Sequence, residues 1–181
     1  MTGYTAFLRG INVGGHKKIK MKDLRQMLSE LGLINVQTIL ASGNACFEAD
    51  DSDINRLAGR IEDAINQAFG FDVDVTLRTY SDIQDIIRRD PFKDIEVDEN
   101  ARLYVTFFDE ELTSPLKLPW QSPEQDFRIL GRTGQEVFSV VHLTPGTRSV
   151  DLMAFIEKEF GHNCTTRNWK TVNKIAAFAE T

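Results

Sequence analysis

The stretch VQTILASGNACF, Val36–Phe47, places two short β-type runs on either side of Ser42-Gly43-Asn44. Gly and Asn tolerate the positive φ of tight turns, so Val36–Ala41 and Ala45–Phe47 read as a hairpin. Two adjacent strands with no helix between them set the order of everything around them. Upstream, Tyr4–Arg9 is a β-type run, and Lys22–Leu31 spaces Leu24, Met27, Leu28 and Leu31 as on a helix, with Gly32 as its stop. Downstream, Asp51 or Ser52 can cap a helix whose apolar stripe is Ile54, Leu57, Ile61, Ala64, Ile65 and Ala68, closed by Gly70. Val73, Val75 and Leu77 then alternate with Asp74, Thr76 and Arg78, the pattern of a half-buried strand. The order βαββαβ is that of the split βαβ, ferredoxin-like plan, with helices on one face of the sheet.

Beyond it, a short helix over Ser81–Arg89 turns Ile83, Ile86 and Ile87 inward, and Pro91 with the acidic stretch Lys93–Asn100 marks a boundary. Strands are expected at Leu103–Phe108, Phe127–Leu130 and Val137–Leu143, the last two joined at Thr133-Gly134. A helix over Val150–Phe160 follows, with Leu152, Phe155, Ile156 and Phe160 inward, and a final helix is expected from Thr166. Leu112–Glu124 resists assignment because Pro115, Pro119 and Pro123 each lack a backbone N–H. The expected class is therefore α+β: a two-layer α/β sandwich with a ferredoxin-like βαββαβ first half and a weaker βαββα second half. The expected organisation is a first subdomain over 1–79, a helix and linker over 80–100, and a second subdomain over 101–181 that ends in a helix.

At 181 residues and 41 % hydrophobic content, the chain can bury a substantial core. No window approaches a run of apolar residues long enough to span a bilayer, and MTGYTAFLRG lacks the order of a signal peptide, so the expected location is the cytoplasm, away from membranes. Cys46 and Cys164 form no CxxC pair and have no cluster of His nearby, which argues against a disulfide framework or a metal site. The net charge of −6 argues against a general nucleic-acid coat. Charge is nonetheless polarised. Residues 9–25 hold Arg9, Lys17, Lys18, Lys20, Lys22 and Arg25 against Asp23 alone, and residues 165–174 hold Arg167, Lys170 and Lys174 with no acid.

The first basic segment belongs to LRGINVGGHKKIKM, Leu8–Met21, a glycine-containing connection between strand and helix. Glycines there let backbone N–H groups approach an anion, and the following helix start adds a favourable dipole. The register is not that of a P-loop. Gly10 and Gly15 have the GxxxxG spacing, but His16 stands where Lys is needed and Lys17 where Ser or Thr would hold magnesium. The dinucleotide fingerprint GxGxxG fails as well. What remains is a connection longer than the usual two to six residues or so, with Asn12, His16 and several cations able to surround a phosphate or carboxylate.

The second basic segment, TTRNWKTVNK, reads as a helix start capped by Thr165 or Thr166. Arg167, Lys170, Thr171 and Lys174 then share one face, while Trp169, Val172 and Ala176 share another. Taken in order, LRGINVGG at 8–15, a helix opening with Met21 and Leu24, SGN at 42–44 and TTRNWKTVNKI at 165–175 resemble the bacterial domain of unknown function 1697 family (DUF1697) along essentially the whole chain. The matching positions are Arg9, Gly10, Asn12, Gly14, Gly15, Ser42, Gly43, Asn44, Arg167, Asn168 and Trp169. The resemblance implies a two-part α/β protein of ferredoxin-like character, with no settled activity, substrate or cofactor.

Three functions compete. In the first, Arg9, Gly10, Asn12, Gly14, Gly15, His16, Lys18, Ser42, Gly43, Asn44, Arg167 and Asn168 border a cleft between the two halves that binds a small phosphate- or carboxylate-bearing ligand. Sequence-specific RNA binding is disfavoured within this class, because Ala45-Cys46-Phe47-Glu48 lacks the aromatic stacking pattern of RNA-binding sheets. The second is an enzyme acting on such a ligand, with His16 as acid or base, although no GxSxG elbow or Cys/His arrangement supports it. The third is a non-catalytic interaction module of unspecified oligomeric state.

Overall fold

Strand β1 (Thr2–Leu8) has no solvent face from Tyr4 onward: Tyr4, Thr5, Ala6, Phe7 and Leu8 are all buried. In the computed structural model, which describes residues 1–143 and 149–179, β1 lies inside an antiparallel sheet of order β2-β3-β1-β4, where β2 is Ile34–Ile39, β3 is Asn44–Ala49 and β4 is Val75–Thr79. Helices α1 (Met21–Glu30) and α2 (Ile54–Phe69) make the two crossings. The alternation of the strands fills the core beneath them. Tyr4, Ala6 and Leu8 of β1, Ala45, Phe47 and Ala49 of β3, and Val75 and Leu77 of β4 pack with Leu24, Met27 and Leu28 of α1 and Leu57, Ile61 and Ile65 of α2. Val73 joins the same core, although β4 itself begins two residues later than its alternation suggested.

Local chemistry explains where these helices start. Asp53, not Asp51 or Ser52, caps α2 by accepting the Arg56 N–H at 3.0 Å. Asp51 instead accepts the Asp53 N–H at 3.1 Å and the Arg56 guanidinium at 2.6 Å, and Arg56 holds its carboxyl below the usual range. Helix α3 (Tyr80–Arg89) opens with a reciprocal cap, in which Asp82 accepts the Thr79 N–H at 2.8 Å and Thr79 Oγ1 accepts the Asp82 N–H at 3.1 Å. Cys46 of β3 has its sulfur 3.6 Å from the Thr5 hydroxyl; burial pushes its thiol up to about 11, against hydrogen bonds with Thr5 and Tyr80.

The chain divides into two compact units, Met1–Asp85 with Asn173–Thr181, and Ile86–Val172. Residues 173–179 thus group with the first unit, whereas the sequence placed them in the second subdomain. The second unit holds an antiparallel sheet of order β6-β7-β8-β5-β9: β5 Ala101–Phe108, β6 Trp120–Gln121, β7 Phe127–Arg132, β8 Glu136–His142 and β9 Cys164–Asn168. Helix α4 (Ser149–Phe160) supplies Leu152 and Ile156 to a core with Phe108, Phe127, Ile129, Val137, Val141 and Cys164. Together with α5 (Trp169–Ala179) this makes five helices among the described residues and an α+β fold.

The expected βαββα second half is corrected here. Four strands precede α4, and the proline-bearing segment after β5 contributes only the two-residue edge strand β6. The final helix starts at Trp169, because Thr165, Thr166 and Arg167 are strand residues paired with Phe107, Thr106 and Val105 of β5. The Thr106 and Thr166 hydroxyls meet at 2.8 Å across that pair. Asn168, not Thr165 or Thr166, caps α5 by accepting the Lys170 N–H at 2.9 Å.

In the second unit the buried Ser139 hydroxyl has no hydrogen-bond partner among the described residues. Ser139→Ala removes an unsatisfied polar group from β8 and is expected to raise stability by up to about 1 kcal/mol. Ile61→Ala in the first core is expected to lower it by about 2–5 kcal/mol. Urea denaturation checks both; a destabilised Ser139→Ala would mean that the hydroxyl is satisfied after all.

Candidate functional site

The connection from β1 to α1 is a built structure, not slack chain. Asn12 N–H donates to the Lys17 carbonyl at 3.2 Å, and His16 N–H to the Val13 carbonyl at 3.2 Å, so Asn12–Lys17 forms a miniature hairpin. Its two tip residues are Gly14 (φ 61°) and Gly15 (φ 80°), the pair of positive φ values that a type I′ turn requires. That turn accounts for the double glycine without a bound phosphate. It also revises the argument from length, since the connection has local pairing of its own.

Asn12 locks this ribbon to its surroundings. Its Oδ1 accepts the Ile19 N–H at 2.9 Å, and its Nδ2 donates to the Ile19 carbonyl at 3.0 Å and to the Ala41 carbonyl at 2.8 Å. One side chain therefore closes the loop and ties it to the β2–β3 turn. A backbone bond from Leu8 N–H to the Gly43 carbonyl at 2.8 Å makes the same connection from the strand side. The loop's other flank is fastened to the segment before β4. Arg9 N–H donates to the Asp74 carbonyl at 3.0 Å, and Lys17 Nζ to the Asp72 carbonyl at 2.7 Å.

The Ser42-Gly43-Asn44 turn thus meets the loop, but as scaffold. Asn44 is fully buried; its Nδ2 donates to the Ile39 carbonyl at 2.8 Å and to Ser42 Oγ at 3.1 Å. Gly43 sits at φ 82°, and a Cβ there would lie 2.8 Å from Ile11 side-chain carbons. Glycine is needed on both counts. Gly10, at φ 68°, turns the chain out of β1. Arg9 is half-exposed, and its guanidinium lies 3.9 Å from the Asp74 carboxylate.

What the loop presents outward is a groove of about 470 Å³ lined by Asn12, Gly15, Lys18, Lys20, Asp23 and Phe69, with Ile19 at its base. The Lys18 and Lys20 ammonium groups have no hydrogen-bond or ion-pair partner among the described residues, and Asp23 is the one acid on the wall. The exposed His16 ring likewise has no partner among the described residues. Phe69 escaped the sequence reading, which gave Ala68 to the stripe of α2. Ala68 is exposed, while Phe69 continues the i, i+4 series from Ile61 and Ile65 and packs against the core edge.

Arg167 and Asn168 belong to the second unit. Arg167 is buried in β9, not exposed on a basic helix face, and its Nη1 donates to Thr165 Oγ1 at 2.8 Å and to the Thr166 carbonyl at 2.9 Å. Burial pushes its guanidinium down to about 10. Among the described residues no three His, Cys, Asp or Glu side chains gather as a metal ion would need, and no helix is long and apolar enough to cross a membrane.

The fold and this loop define a two-unit α+β protein, a class shared by a solved structure. The conserved bacterial protein SP0830 from Streptococcus pneumoniae is similar with a TM-score of 0.73 and 23 % identity, over 100 % of this chain and 99 % of that one. A family model, "Protein of unknown function (DUF1697)", matches residues 1–138, and the chain belongs to that family. The match includes the whole loop and the Ser42–Asn44 turn, whereas TTRNWKTVNKI lies beyond it. No curated protein matches the chain.

Asn12→Ala strips the partners from one N–H and two carbonyls and is expected to cost about 1–3 kcal/mol in urea denaturation. Gly43→Ala is expected to cost a similar amount, from left-handed strain and the clash with Ile11. An Asn12→Ala protein as stable as the parent would show that the amide is not the clamp described.

Proposed function

We propose that the first unit is a ferredoxin-like sandwich that binds a small phosphate- or carboxylate-bearing ligand in the groove between Lys18, Lys20 and Phe69. The observation that carries this reading is that two lysines without a partner among the described residues border one groove, on a loop clamped through Asn12. A loop already ordered loses little backbone freedom when an anion arrives, and the Phe69 ring offers an apolar wall to the rest of the ligand. The order β2-β3-β1-β4 with two crossing helices supports the ferredoxin-like description.

Binding is favoured over turnover because nothing among the described residues orients the His16 ring. Base stacking on this sheet is disfavoured because Tyr4 and Phe7, the aromatics of β1, are buried.

A thermal-shift series with phosphate, citrate, acetate and nucleotides tests the reading. At least one anion is expected to raise Tm in the parent, and Lys18→Ala and Lys20→Ala are each expected to abolish that rise while leaving the unliganded Tm within a few degrees. No rise with any anion, or a rise that survives both substitutions, would retire it.

A further inference from the structure

The carboxy-terminal motif has a second use. Asn168, Trp169 and Lys170 line a groove of about 610 Å³ within the second unit, together with Phe92, Glu99 and Arg102. That volume falls among those of small-molecule sites, roughly 300–1,000 Å³.

The aromatic wall is fixed. Half-buried Trp169 has its ring 5.1 Å from that of Phe92, and Phe92 in turn meets Phe138 edge-on at 6.1 Å. The polar groups sort into committed and uncommitted ones. Asp98 is committed to its own turn, accepting the Asn100 and Ala101 N–H groups at 2.8 Å each. Arg102 spends Nη1 on the Glu99 and Ala101 carbonyls at 2.7 and 2.9 Å, which anchors the guanidinium at the groove while the rest of its fork has no partner among the described residues. Asn168 Oδ1 is taken by the Lys170 N–H, so the carboxamide is oriented and Nδ2 is the donor it has to offer. That bond satisfies one N–H of the helix start, and the groups that line the groove are side chains. The Lys170 ammonium and the carboxylates of Asp90 and Glu99 have no partner among the described residues.

The groove therefore offers a flat ring, two cations and, besides the turn-bound Asp98, two carboxylates. A bare phosphate or a dicarboxylate would be repelled by Asp90 and Glu99, and an uncharged ring would leave Arg102 and Lys170 unanswered. A ligand that answers all of them carries a planar ring, hydroxyl donors and one anionic group. We propose that this groove binds a nucleoside monophosphate, with the base against Trp169, the ribose hydroxyls at Asp90 and Glu99, and the phosphate at Arg102 and Lys170. The site is independent of the Lys18–Lys20 groove and does not rest on its function.

The chain has two tryptophans, so Trp120→Phe leaves Trp169 as the only indole reporter. In that background, titration with AMP, GMP, CMP and UMP is expected to give saturable quenching by at least one nucleotide, with little response to inorganic phosphate. Exposed Lys170→Ala and Arg102→Gln are each expected to weaken binding about tenfold at unchanged Tm, and Lys18→Ala to leave it unaltered. Absence of saturable quenching by all four nucleotides, or a Kd indifferent to both Lys170→Ala and Arg102→Gln, overturns the proposal.

Discussion

A strand buried on both faces must place every backbone group in a ladder and every side chain in a packed layer, and β1 does both. Its N–H and C=O groups pair with β3 on one side and β4 on the other, from Tyr4 to Phe7 on both sides at once. Tyr4, Ala6 and Leu8 then fix where α1 and α2 can lie. The consequence appears where β1 ends. The chain leaves the sheet between β3 and β4, flanked by the β2–β3 turn and by the segment before β4, and the loop is fastened to both through Asn12–Ala41 and Lys17–Asp72.

The residues of the loop and of the β2–β3 turn therefore divide by role. Asn12, Gly43 and Asn44 hold the backbone in shape, and their side chains or their lack of one are consumed in doing so. Lys18 and Lys20 contribute no such bond among the described residues, and it is they that border the groove. A loop with its own clamp keeps the backbone of both lysines at the groove without help from the nearest acid. Asp23 is the acid at hand, and it sits in the first turn of α1, where the helix dipole favours it.

How much of this could be read from residues alone depended on the range of the interaction involved. The hairpin around Ser42-Gly43-Asn44 was legible because positive φ at Gly43 is a local requirement, and the strand ends moved by only a few residues. The core stripe of α2 was legible up to its last turn, where Ala68 and Phe69 exchange roles. β9 was not legible. Arg167, Lys170 and Lys174 mimic a helical face, and what makes Arg167 a strand residue is its pairing with Val105, far away along the chain. The grooves were illegible for the same reason, since Phe69 joins the loop, and Phe92 joins Trp169, only through folding.

Cys46 and Cys164 are both buried, and the Cys46 thiol is held neutral well above physiological pH. Thiolate is the species that attacks oxidants and maleimides, so Cys46 offers such reagents almost nothing to react with, and burial shields Cys164. A cysteine introduced on the exposed surface therefore reacts with a dye or spin-label reagent ahead of both native thiols.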